Sequence, residues 1–168
     1  MPLIRSQRRS LALVAGALLC VAPLSACGFN YSTDEVYTAS AGVDDRTGTL
    51  DILSAVVVSE QKGSGTFIAS FSNNSEDTSE RVLAMSAGTD NPTLKVAGFT
   101  PITVKPAALV NLATDPSITL TGEFSAGDYV SLKFDLENEP DLQISIPVVA
   151  ATYQYEGLDI SEPTSPTE

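Results

Sequence analysis

The sequence predicts an all-β fold, a single antiparallel β-sandwich with Greek-key crossings that follows a cleaved signal peptide. Three observations carry that prediction. Short apolar runs alternate with period two, turn residues separate them, and no stretch of ten or more residues shows a convincing 3.6-residue period. Abundant Thr, Val and Ser favour pleated strands over helices.

Taken in order, strands are expected at residues 50–59, 65–72, 81–87, 93–99, 102–105, 108–113, 117–124, 129–136 and 142–149, with a first short one near Tyr37. The alternation is clearest towards the end. Val130, Leu132, Phe134 and Leu136 fall on one face, opposite Ser131, Lys133 and Asp135; Leu142, Ile144, Ile146 and Val148 repeat the pattern. Between them, Glu137-Asn138-Glu139-Pro140-Asp141 makes a hairpin connection, because Pro140 cannot donate to a ladder and Asn and Asp favour turns. Phe67, Ala69 and Phe71 alternate in the same way, as do Ile118, Leu120 and Gly122. Gly63-Ser64-Gly65, Asn73-Asn74-Ser75 and Ala126-Gly127-Asp128 supply turns. About eight strands at this spacing suit a two-sheet sandwich.

The N-terminus sets the expected location. Residues 1–10 carry Arg5, Arg8 and Arg9 and no acid, and residues 11–24 are an apolar run. That is the layout of a secretory signal. A run of about 14 residues falls short of the roughly 30 Å of hydrocarbon a retained helix must cross. Leu24-Ser25-Ala26-Cys27 resembles the bacterial lipobox, whose cysteine thiol accepts diacylglycerol before the signal is cut. The recognition residues are then Leu24, Ser25 and Ala26, and Cys27 is the attachment point for membrane lipid. Two acyl chains suffice for stable anchoring. Arg8-Arg9-Ser10-Leu11 is similar to a degenerate twin-arginine signal, so Sec and Tat export both stay open. The expected localisation is the outer face of the cell membrane, extracytoplasmic and lipid-anchored.

The expected organisation is a signal over residues 1–26, a lipidated cysteine and polar tether over 27–49, the sandwich over 50–151, and an acidic Pro/Ser/Thr-rich tail over 152–168. Loss of 1–26 leaves 142 residues, enough for one domain with a core. The signal holds three of nine basic residues and none of 21 acids, so six face 21 and the formal charge becomes −15. Such a surface repels phosphate polymers and excludes nucleic acid as a partner.

Catalysis is not expected. There is no histidine, and Cys20 and Cys27 are the only thiols, so the Ser-His-Asp and Cys-His triads are excluded. No cofactor or metal is expected. Asp135, Glu137, Glu139 and Asp141 could gather around a cation, but no calcium-loop pattern appears, and a solvated hairpin tip is the expectation. Asp44-Asp45 and Glu76-Asp77 could be paired acids for glycoside hydrolysis, yet no tryptophan exists to stack a sugar ring. Ser64 lacks the G-x-S-x-G context of a nucleophile elbow.

Three segments carry a family resemblance over about 100 residues. Residues 67–75 followed by 79–83 look like a strand, a double-polar turn and the opening of the next strand. Ile102-Thr103-Val104-Lys105-Pro106-Ala107-Ala108 looks like a hydrophobic-x-P-A-G-G turn. Residues 124–132, continued by Ile146-Pro147-Val148, look like a closing G-D-x-V-x-L hairpin. Together they resemble actinobacterial lipoproteins of the LpqE type, distant relatives of the periplasmic copper(I) chaperones called PCuAC. The resemblance implies a cupredoxin-like sandwich, a two-sheet architecture shared with immunoglobulin-like domains. It also implies a copper site of two histidines and methionine sulfurs, including a His-x-Met. Here the segment expected to hold that motif reads Ala108-Leu109-Val110-Asn111-Leu112. Only Met85 survives processing, on the face of Leu83, where core packing is its expected role. The expected function is therefore a binding or accessory module of the cell envelope, with an envelope protein or small ligand as partner. The alternative is a copper or other metal chaperone with a degenerate PCuAC-like site.

Overall fold

Alternating apolar residues become strands wherever another layer can cover their inner face, and ten form among the described residues. The computed structural model describes residues 41–162. In chain order the strands are β1 (Val43–Asp45), β2 (Leu50–Ser59), β3 (Ser64–Asn73), β4 (Glu80–Ala87) and β5 (Lys95–Ala97). They continue with β6 (Ile102–Val104), β7 (Leu109–Asn111), β8 (Thr119–Thr121), β9 (Tyr129–Leu136) and β10 (Leu142–Ala150). Short 3-10 turns follow β7 and β10, at Leu112–Thr114 and Tyr153–Tyr155. No helix among the described residues is long and apolar enough to cross a membrane.

The strands follow the hydrogen-bonded order β5-β8-β3-β2-β10-β9-β4-β6, with β1 on β2 and β7 on β3. This path is curled into two layers joined by β10. Along Leu142–Pro147 that strand pairs antiparallel with β9, and at Val148–Ala150 it pairs with Val57–Ser59 of β2. The second pairing is parallel, so the sheet is mixed and not purely antiparallel as expected. One edge of β2 serves two partners, β1 at Ile52 and Ala55 and β10 beyond them. Within the first stretch the register with β3 slips between Leu53 and Val56, and Ser54 takes a left-handed φ of 51°. Gly42 lies against that bend, where a Cβ would sit 2.5 Å from the Ser54 carbonyl carbon.

Phe67 and Phe71 of β3 meet Phe134 of β9 between the layers, with ring centroids 5.8 and 6.4 Å apart. All three are buried, together with Ile52, Leu132 and Ile146. Burying each such side chain contributes roughly 1.5–3 kcal/mol. The expected alternation holds in β9 and in most of β10.

It fails in β4. A register shift between Val82 and Ala84 turns Val82 and Met85 inward and leaves Leu83 39 % exposed. Met85 packs in the core as expected but does not share a face with Leu83, because the extra residue of a bulge reverses the alternation. Two further stretches differ from their sequence reading. The described part of 27–49 holds β1, which pairs with β2. The described part of the acidic tail is seated on the outer face of β2 and β3, where Tyr155 and Leu158 cover Val56, Val58 and Ile68. The strand expected near Tyr37 lies outside the described residues.

Candidate functional site

The residues that would anchor the chain, Leu24, Ser25, Ala26 and Cys27, also lie outside the described residues. The segment expected to hold His-x-Met is described. Leu109–Asn111 forms β7, set antiparallel on Ser70–Ser72 of β3. Leu109 is exposed, Val110 packs against the core, and Asn111 caps the following 3-10 turn by accepting from the Ala113 amide at 2.9 Å.

Val110, Asn111 and Leu112 line a cleft of about 230 Å³ where β6 of one layer meets β7 and β8 of the other. Thr100, Ile102, Asp115, Ser117 and Ile118 complete it. Ile118 closes the floor with its buried side chain. The rim offers two hydroxyls, one amide and one carboxylate. Such a set can hydrogen-bond a small polar group over an apolar floor. Thr100, Asp115 and Ser117 carry no local sequence signal, being polar residues in turns, and only the fold brings them to one rim.

Two of the three segments behind the resemblance meet in space. Asn73, buried at the end of β3, donates from Nδ2 to the carbonyls of Thr78 (2.8 Å), Val104 (3.0 Å) and Lys105 (3.2 Å). Its Oδ1 accepts from the Ser75 amide at 2.8 Å, and its own amide donates to Ala108 O at 3.0 Å. The Lys105–Ala108 turn, with Ala107 at φ 49°, is thereby stapled to the Asn73-Asn74-Ser75 turn. The third segment closes on β10: Gly127, at φ 101°, donates to Val148 O, and Val148 donates to Asp128 O. These motifs therefore build the scaffold.

The acidic run at the β9–β10 connection is tied into the structure and is not simply a solvated tip. Glu139 Oε1 accepts from the amides of Thr49 at 2.6 Å and Leu50 at 3.1 Å. Glu137 pairs with Arg81 at 3.2 Å. Lys133 Nζ lies 2.6 Å from Asp141 and 3.2 Å from Asp135, and these carboxylates, Asp141 first, push its pKa up. Glu139 and Asp141 line an open cleft of about 480 Å³ with Asp45, whose carboxylate is held by Thr47. Asp44 accepts from the Ser54 amide at 2.7 Å; that bond, seconded by Arg46, holds its carboxyl below the usual value. Glu76 and Asp77 sit exposed in a loop. Ser64 begins β3 with its hydroxyl fully buried, so it is neither an accessible nucleophile nor part of a flexible turn.

Among the described residues no three His, Cys, Asp or Glu side chains converge as a metal-binding group. The only sulfur among them is Met85, buried in the core. Cu(I) favours thioether, thiolate and imidazole, and the cleft beside β7 presents none of these. The described residues do not fit a copper ion.

No family model matches the sequence, and no curated protein matches it. Solved structures do match. The apo PCuAC domain from PmoF1 superposes with a TM-score of 0.51 at 14% identity, over 64% of this chain and 99% of that one. The copper-bound PCuAC domain from PmoF2 gives 0.50 at 16% identity, over 64% and 98%. This likeness establishes the fold, a cupredoxin-like β-sandwich.

Proposed function

We propose that this chain is a lipid-anchored, extracytoplasmic lipoprotein of the LpqE type, using a PCuAC-like sandwich as a binding or accessory module and not for copper transfer. One observation carries the departure from copper: the strand placed for the family's His-x-Met holds Leu109, Val110 and Asn111 beside a cleft of hydroxyl, amide and carboxylate groups. The lipobox-like Leu24-Ser25-Ala26-Cys27 supports the anchor. In this reading the acyl chains fix location, and residues 28–42 give reach before β1 joins the sandwich. The rim of Thr100, Asn111, Asp115 and Ser117 then meets a small polar ligand or an envelope protein.

The anchoring step is tested by fractionating cells fed a labelled fatty acid. The parent chain is expected in the membrane fraction carrying label, and Cys27→Ala is expected soluble and unlabelled. Retention of Cys27→Ala in the membrane would refute the anchor.

A metal chaperone with an altered site is the second reading. It is supported by the two PCuAC neighbours, one of them solved with copper bound. It requires Met85 to leave a core in which it is 7 % exposed, or donors from outside residues 41–162.

A further inference from the structure

Beyond β10 the chain makes a strap that leaves the sandwich and returns to it. It departs at Ala150, paired with Ser59, and is pinned again at Asp159, beside Glu60. Tyr155 and Leu158 cover the outer apolar patch of Val56, Val58 and Ile68, each of which is at most 6 % exposed. Asp159 closes the strap with both oxygens. Oδ2 accepts from the Glu60 amide at 2.8 Å, and Oδ1 accepts from the buried Thr66 hydroxyl at 2.9 Å. Thr66 accepts in turn from the Ile160 amide at 2.8 Å. The β2–β3 outer face thus fits one kind of occupant, a turn-containing segment with an aromatic residue, then a leucine followed by an acid.

The hinge works against closure onto the strap's own domain. Thr152 is extended, and Tyr153 is then forced to φ 55°, a left-handed conformation that its Cβ disfavours. Its side chain is 89 % exposed, so little packing offsets that strain. The strap's contacts with β2 and β3 can be made identically on a second copy; extending the hinge gives up the exposed bonds of its own turn, Tyr155 N to Thr152 O and Glu156 N to Tyr153 O, which water replaces. Exchange of an identical element is a low-cost route to a dimer, and a strained hinge favours it.

We infer that residues 152–162 exchange between two copies of this chain, each seating its strap on the β2–β3 outer face of the other. This depends on neither the lipid anchor nor the absence of copper. The test is light scattering across a concentration series, on the full chain carrying Cys20→Ser and Cys27→Ser so that no lipid or disulfide joins copies. The parent is expected to show a concentration-dependent dimer. Tyr153→Gly removes the strain of closure and is expected to weaken dimerisation by about tenfold per hinge, about a hundredfold for two. Tyr153→Pro forbids a positive φ while accepting the extended Thr152, and is expected to strengthen dimerisation by about tenfold or more. Adding Leu158→Ala and Asp159→Asn to the Pro variant is expected to return it to monomer. A parent and Pro variant that both stay monomeric would overturn the inference. So would a Pro dimer that survives loss of Leu158 and Asp159, since its interface would lie elsewhere.

Discussion

The β9–β10 hairpin and the cleft beside β7 are both places where the sequence sets polar groups close together, and they use them in opposite ways. In the hairpin each carboxylate is engaged: Glu139 with the start of β2, Glu137 with Arg81, Asp141 and Asp135 with Lys133. In the cleft, Asn111 Oδ1 caps a turn, while Thr100, Asp115 and Ser117 form an exposed rim over apolar Ile118. The difference teaches that an acidic cluster is poor evidence for a ligand when backbone amides and lysines already claim it. A sparser set of polar groups over an apolar floor is the better candidate surface.

The comparison can be broken by substitution, starting with the hairpin stem. Phe134→Ala removes the ring that joins both layers and is expected to destabilise the fold by about 3–5 kcal/mol in urea titration. A loss below 1 kcal/mol would mean that the two layers do not meet there. Glu139→Ala orphans the Thr49 and Leu50 amides, the latter at a buried residue, and is expected to cost about 1–3 kcal/mol. A neutral outcome would return Glu139 to the role of a solvated tip.

Acid pH gives a smaller effect. The Asp44 carboxyl is held below its ordinary 3.8, so its stabilising contribution is present above that value and is lost as pH falls through the lowered one. Asp44→Asn is therefore expected to flatten the acid limb of a stability profile below that range, without changing the neutral plateau's shape. Smallest of all, Ser117→Ala in the cleft is expected to change stability by no more than about 0.5 kcal/mol, because Ser117 is exposed. A larger change would make the rim structural, like the hairpin.

Strands with a full inner face were legible in the sequence. Residues 129–136 were placed at their observed bounds because burial on one side imposes period two, and 50–59 were placed as an apolar run that is buried on both faces. The bulges were not legible. At Val82–Ala84 the extra residue reverses Leu83 and Met85, and nothing local marks it. β1 and the strap were missed for a related reason. Their bonds reach across the chain, as from Asp159 to Thr66 or Glu139 to Leu50, and polar composition conceals such contacts. The cleft was half visible. The missing histidine and methionine ligands could be read directly, whereas Thr100, Asp115 and Ser117 share a rim only because β6, β7 and β8 converge.

A copper-transfer scaffold and a copper-free one of the same shape are separated most directly by a Cu(I) competition titration. The chain should carry Cys20→Ser and Cys27→Ser, leaving only non-thiol donors, with its far-UV spectrum confirming a β fold. No withdrawal of Cu(I) from the competing chelator is the expected result. Stoichiometric withdrawal, abolished by Met85→Leu, would contradict the account and put a rebuilt copper site in its place.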